Sequence, residues 1–265
     1  MTPEELRRLL AKVAAKAAKV GQLPDEAEAG PPAGSIFRPA DPRVAGVVAD
    51  WVTPVASRWA PQLGLEPREL ATVLAEGLTQ RRRVAAVEVA PSGLLAITLS
   101  DSARSRIIPT VLEQADTYGL RPGKALAVPA EEPPGARPED DPLGCAQRAH
   151  ARLCRLIRNA EAAGVEMRKR DRLEELTHVS ERLLLVALAD HPQRMARHEG
   201  DEQQLVRAVT DLAELANAWT FPLRPVTVDE HPTSIHGARL ALATAARIVL
   251  RNGLAHVGVP APERM

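Results

Sequence analysis

The sequence predicts an α+β protein: a small α+β N-terminal domain over residues 1–119, a proline-rich linker over 120–141, and an all-α helical bundle over 142–265. Three observations carry this. Between Val84 and Leu99 the apolar spacing drops from the helical period to the strand period of two. Residues 120–141 hold five prolines and a cluster of acids with no periodicity, the composition of a semi-rigid extended linker. Beyond residue 142 the apolar spacing is helical throughout and the connections are short, which suits an antiparallel bundle.

In chain order, Thr2-Pro3-Glu4-Glu5 has the pattern of a capping box with proline in the first turn, opening a helix to about Val20 that Gly21 ends. Residues 22–35, rich in proline, glycine, alanine and acids, read as a loop, and Ile36–Arg38 as a short strand. The pattern from Val44 to Ala60 predicts a helix kinked at Pro54, and Glu66-Pro67 starts another that runs to about Gln80. Val84–Ala90 and Leu94–Leu99, separated by Pro91-Ser92-Gly93, predict two strands joined by a tight turn. Asp101–Tyr118 returns to a helical period. In the second half, helices are expected at about 142–163, 170–190, 192–198, 202–219 and 235–257, with Asp201 and Gln204 placed as a second cap and Pro192, Pro222, Pro225 and Pro232 as punctuation.

With 34 basic and 34 acidic residues the chain has no net charge, so no global field marks it as a nucleic-acid binder. Residues 1–120 carry 14 of each sign and residues 143–265 carry 17 basic and 15 acidic, so an RNA site has to come from local arrangement. The aromatics are Phe37, Trp51, Trp59, Tyr118, Trp219 and Phe221, few platforms for stacking unpaired bases. Cys145 and Cys154 lie nine apart on one predicted helix, too far to bridge, and read as reduced thiols. No segment approaches the roughly 20 apolar residues of a membrane span. The N-terminus lacks the order of a signal peptide, and a cytoplasmic protein is expected.

Catalytic patterns are missing: no phosphate-cradling glycine loop, no Gly-x-Ser-x-Gly elbow, no His-Glu-x-x-His. His150 and Cys154 have helical ligand spacing, but no second pair accompanies them, so no metal and no cofactor is expected. The basic runs Arg81–Arg83 and Arg168–Arg170 read as solvated turns or helix ends. The feature that carries chemistry is the helix from Asp141 to Ala160. Ala146, Ala149, Leu153, Leu156, Ile157 and Ala160 fall in one apolar arc, while Arg148, Arg152 and Arg155 project from another sector and form a cationic edge suited to a phosphate backbone. On the final helix, Arg239, Arg247 and Arg251 occupy a second cationic sector.

These residues also carry a family resemblance. The stretch from Ala238 to the terminal Ala-Pro-Glu-Arg-Met265 resembles the end of the anticodon-binding (DALR) domain of arginyl-tRNA synthetases. Gln147 with Ala149-His150-Ala151-Arg152 is similar to the Gln-Tyr-Ala-His-Ala-Arg helix that opens that domain. Pro67–Ala71, Val87–Ala90 and Tyr118-Gly119 resemble the family's N-terminal additional domain, which touches the tRNA elbow. In the synthetases the aminoacylation core, with its His-Ile-Gly-His and Lys-Met-Ser-Lys type motifs, follows that domain, and here the linker takes its place. The sequence also departs from the family. The aromatic-rich Phe-His-x-Phe-Tyr-Asn becomes Ala216–Phe221, the tyrosine before Ala-His-Ala-Arg becomes Arg148, and Gly-Asp-Tyr-Ala-Thr-Asn becomes Gly46–Trp51.

The resemblance implies a non-catalytic tRNA-binding protein, not an enzyme: an adaptor presenting tRNA, an arginine acceptor, to a separate tRNA-dependent enzyme. The alternative is a protein-interaction module that kept the fold and lost RNA affinity. The expected RNA-binding residues are Arg148, His150, Arg152, Arg155, Trp219, Phe221, Arg239, Arg247, Arg251 and Met265.

Overall fold

The computed structural model describes residues 1–34, 36–41, 49–120, 141–227 and 230–265. By internal packing the chain divides into Met1–Arg104 and Ser105–Met265. The expected N-terminal domain extends to residue 119, whereas in this division residues 105–119 belong with the helical unit. Most of the expected linker, residues 121–140, lies outside the described residues.

The first unit opens with α1 (Pro3–Lys19), where Thr2 Oγ1 accepts from the Glu5 amide at 3.2 Å and the Thr2 amide donates back to Glu5 Oε2 at 2.9 Å. Such a reciprocal cap stabilises a helix start by about 1 kcal/mol. Leu6, Leu10, Val13 and Ala17 recur at helical spacing and form its buried face. The sheet is antiparallel in the order β1 (Arg38–Pro39), β2 (Trp51–Thr53), β4 (Leu95–Leu99), β3 (Val84–Val89). β3 and β4 form the expected hairpin, and Gly93 in its turn takes φ +79°, a conformation that favours glycine. α2 (Val55–Leu63) and α3 (Pro67–Thr79) pack beside each other.

The predicted helix from Val44 to Ala60 is corrected. Residues 44–48 lie outside the described residues, Trp51–Thr53 is a strand paired with β4, and the helix begins only at Val55. Trp51 and Thr53 are buried while Val52 between them is half-exposed, so the local period is two. Pro54 is not a kink; it stands at the start of α2.

Asp50, beside β2, makes the unit's one buried fork among the described residues. Arg104 Nε donates to Asp50 Oδ1 at 2.8 Å and Nη2 to Oδ2 at 2.9 Å, while Oδ2 also accepts from the Leu99 amide at 2.7 Å. Burial opposes the Arg104 charge, but the hydrogen bonds and charge of Asp50, and then of Asp101, outweigh it and raise its pKa. Arg104 sits in α4 (Asp101–Ser105), and α5 (Ile107–Gln114) follows after a break. The predicted single helix is interrupted because Pro109 has no N–H for the carbonyl of Ser105; it falls instead in the first turn of α5, where that donor is not needed.

The second unit consists of α5, α6 (Pro142–Ala162), α7 (Val179–Arg197), α8 (Glu202–Ala218) and α9 (Ser234–His256). Two expected helices at 170–190 and 192–198 are corrected to the single α7. It starts late because His178 caps it, its amide bonded to Glu181 Oε2 at 3.0 Å, and it runs on through Pro192. α9 packs against α5, α6, α7 and α8. Within α9, a Cβ on Gly237 would stand 2.3 Å from the Glu166 carbonyl oxygen, so the close approach of residues 166–168 requires glycine there. Among the described residues no helix is long and apolar enough to cross a membrane, and no group of three metal-ligating side chains is assembled.

Candidate nucleic-acid interface

Asp141 Oδ2 accepts from the Gly144 amide at 2.9 Å and starts α6, with Pro142 in its first turn. The apolar arc turns inward as expected: Ala146, Ala149, Leu153, Ile157 and Ala160 are buried, with Leu156 half-buried, against α8 and α9. Gln147 and His150 on the same helix are also buried, and they are spent on the end of the chain. Gln147 Nε2 donates to the Pro260 carbonyl at 3.0 Å, and His150 Nδ1 stands 2.9 Å from the Pro262 carbonyl. Farther along, Arg158 Nη2 reaches the Glu263 carbonyl at 3.5 Å and Nη1 lies 4.0 Å from the Glu263 carboxylate. The terminal residues therefore run beside α6 in its own direction.

A carbonyl only accepts, so His150 carries its proton on Nδ1. Burial lowers its pKa, the Pro262 bond resists, and the charges of Arg247 and Arg251 lower it further. The sulfur of Cys154 lies 3.8 Å from both ring nitrogens of His150, and burial raises the thiol's pKa, so the pair is a neutral part of the seam. Arg247, half-exposed, acts electrostatically on both.

The cationic edge divides. Arg155 is exposed and Arg148 half-exposed. Arg152 turns aside: its Nη1 donates to the Ala216 carbonyl at 3.0 Å and its Nη2 to the Trp219 carbonyl at 3.1 Å, closing the C-terminal end of α8. Burial, then the charge of Arg155, lowers its pKa. Trp219 is fully buried and offers no ring face to solvent. Phe221 sits elsewhere, with the Arg239 guanidinium carbon 4.2 Å over its ring and His178 edge-on at 4.7 Å. Arg239 is tied to the buried Glu181, Nε to Oε1 at 2.9 Å, and Arg251 pairs with Asp116. Met265 is 47% exposed and Arg264 beside it is exposed, at the end of the tail that α6 holds.

A family model described as the DALR anticodon binding domain matches residues 146–265. Residues 146–265 are thus similar to a DALR anticodon-binding domain. The chain is also 36% identical over 176 residues to an Arginine--tRNA ligase of Clavibacter sepedonicus, an overlap of 62% of this chain and 32% of that protein. The chain thus spans about a third of the length of this curated relative. The likeness is to an arginyl-tRNA synthetase, and the family match does not extend to a catalytic core.

Seven of the ten expected site residues fall into three places: Met265 on the tail with His150 and Arg247 near it; Arg152 with Trp219 at the end of α8; and Phe221 with Arg239 near the start of α7; Arg148 and Arg155 stay on the outer side of α6, and Arg251 pairs with Asp116. Arg158, His178 and Glu181 were missed by sequence reasoning. His178 and Glu181 carry only a weak signal, since the usual helix-start pattern has Ser, Thr, Asp or Asn, not histidine, three before the glutamate. Arg158 carries none, because only the folded tail brings Glu263 to it.

Proposed function

We propose that the chain is a non-catalytic tRNA-binding protein, an adaptor that presents an arginine-acceptor tRNA to a separate tRNA-dependent enzyme in the cytoplasm. In this reading residues 1–119 are the elbow-touching domain of the synthetase pattern, 120–141 the linker and 142–265 the anticodon end. The observation that carries it is the tail seam: a DALR match running to Met265, with the last residues held on α6 by Gln147, His150 and Arg158, while Arg155, Arg158, Arg264 and Met265 keep exposed surface. Twenty-two residues stand between the two ends in place of the aminoacylation core, fewer than the roughly 50 of a small domain.

A gel shift with an arginine-acceptor tRNA transcript over a salt series tests this. Affinity should fall with salt, and the triple variant R155A/R158A/R264A should reduce the slope of log affinity against log salt by about 0.7–0.9 for each phosphate that an arginine no longer engages. Arginine-dependent pyrophosphate exchange should stay at background. Unchanged affinity and slope in the triple variant would favour a protein-interaction module, and measurable exchange would make the chain an enzyme.

A further inference from the structure

In the sheet order, β3 is terminal, and among the described residues β4 is its only strand partner. The Asp50 amide donates to the Ile97 carbonyl at 2.9 Å, so the main chain of Ile97 faces β2 and that of its neighbours Ala96 and Thr98 faces β3. Those two pair with Glu88 and Ala86, and beyond them the Ala90 amide donates to the Leu94 carbonyl at 2.9 Å. By strand alternation, the N–H and C=O of Val87 and Val89 point away from β4 toward the open edge. Their side chains are half-exposed and line an open groove of about 500 Å³ whose other wall is α3, through Thr72, Ala75, Glu76 and Thr79. α3 and β3 converge on the turn Arg81-Arg82-Arg83, where Arg82 and Arg83 are exposed and none of the three has an ion-pair partner among the described residues.

An unpaired strand edge is a template for another strand, and proteins usually cover or blunt it. Here the edge combines main-chain groups with no strand partner among the described residues, an apolar floor at alternate positions and a cationic end, the combination that binds an extended peptide by strand addition. We propose that the β3 edge and the α3–β3 groove receive an extended acidic segment of a partner protein, which adds a fifth strand, sets alternate apolar side chains on Val87 and Val89, and brings its carboxylates to Arg82 and Arg83. The inference does not depend on the tail seam that carries the RNA reading, because none of its residues belongs to that seam. An RNA strand fits the groove less well, since no exposed aromatic lines it.

The probe is a synthetic peptide of two aspartates followed by alternating threonine and valine, compared with the same peptide carrying lysines for aspartates. With the full chain at low salt, the aspartate peptide should bind and slow hydrogen exchange at the amides of Val87 and Val89. R82E/R83E, which changes only exposed side chains, should weaken that peptide about tenfold and bring the lysine peptide level with it or ahead, as expected when two exposed ion pairs are reversed. V89P should abolish binding of both peptides while circular dichroism stays that of the parent, since proline is tolerated on a strand whose N–H faces outward. The proposal is overturned if neither peptide protects these amides, if they are protected without peptide because the chain self-associates through this edge, or if tRNA alone gives the protection.

Discussion

The hydroxyl of Tyr118 donates to the carbonyl of Leu188 at 2.7 Å, and Leu188 is the residue whose carbonyl Pro192, four residues on, cannot bond. This is how α7 passes through a proline without ending. The sole tyrosine supplies the donor that the helix lacks. Y118F should cost about 1–3 kcal/mol, because a buried carbonyl is left unsatisfied. In a P192A background, where the helix regains a backbone N–H at that position, the same change should cost markedly less. Urea unfolding of the parent, the two single variants and the double variant measures the coupling, and equal costs in both backgrounds would refute the compensation.

Arg152 and Arg155 lie three apart on α6 and should separate cleanly. R152A removes two hydrogen bonds to the Ala216 and Trp219 carbonyls and should lower stability by about 1–3 kcal/mol. R155A removes an exposed side chain and should leave the melting temperature within error. A stability loss in R155A equal to that in R152A would mean the row is structural throughout.

The adjacent buried pair Asp190 and His191 makes stability depend on pH in two opposed ways. Burial pushes Asp190 up to about 6, against the pull of Arg197 and Arg194, and its Oδ1 has no hydrogen-bond partner among the described residues. Its folded pKa lies above the unfolded one, so the stability it contributes is present at low pH and is lost as pH rises from about 4 to about 6. Burial, then Arg194 and His256, holds His191 down to about 3, so its contribution is full above 6.5 and is lost as pH falls toward 3. D190N should therefore stabilise the protein by about 2–3 kcal/mol at pH 7.5 and have little effect at pH 4. It should also expose the His191 slope as a steady loss on acidification. Chemical denaturation across that range checks both, and a pH-independent effect of D190N would rule the linkage out.

The Asp50–Arg104 fork is sealed, with both side chains 2% exposed. Removing one partner strands the other charge, so D50A and R104A should each cost about 3–5 kcal/mol while the double variant costs less than their sum. Additive costs in a double-mutant cycle would show that the two side chains do not support each other.

Local structure follows from the residues alone wherever the signal is local. The Thr2–Glu5 cap, the Val84–Leu99 hairpin, α8 behind Asp201 and the inward arc of α6 all follow from spacing and end chemistry within a few residues. The DALR end was legible from contiguous motifs. Features that depend on partners far along the chain come only from the fold. Trp51–Thr53 is a strand because β4 accepts it, α7 continues because Tyr118 replaces a missing donor, and Arg152 leaves the cationic row because α8 ends with unpaired carbonyls beside it. His150 reads as an RNA-binding side chain in the sequence, yet its partner is the Pro262 carbonyl, 112 residues away. Helical periodicity says which way a side chain points; which polar group it meets there is set by the packing of other elements, because a buried donor or acceptor takes whichever partner the fold brings within reach.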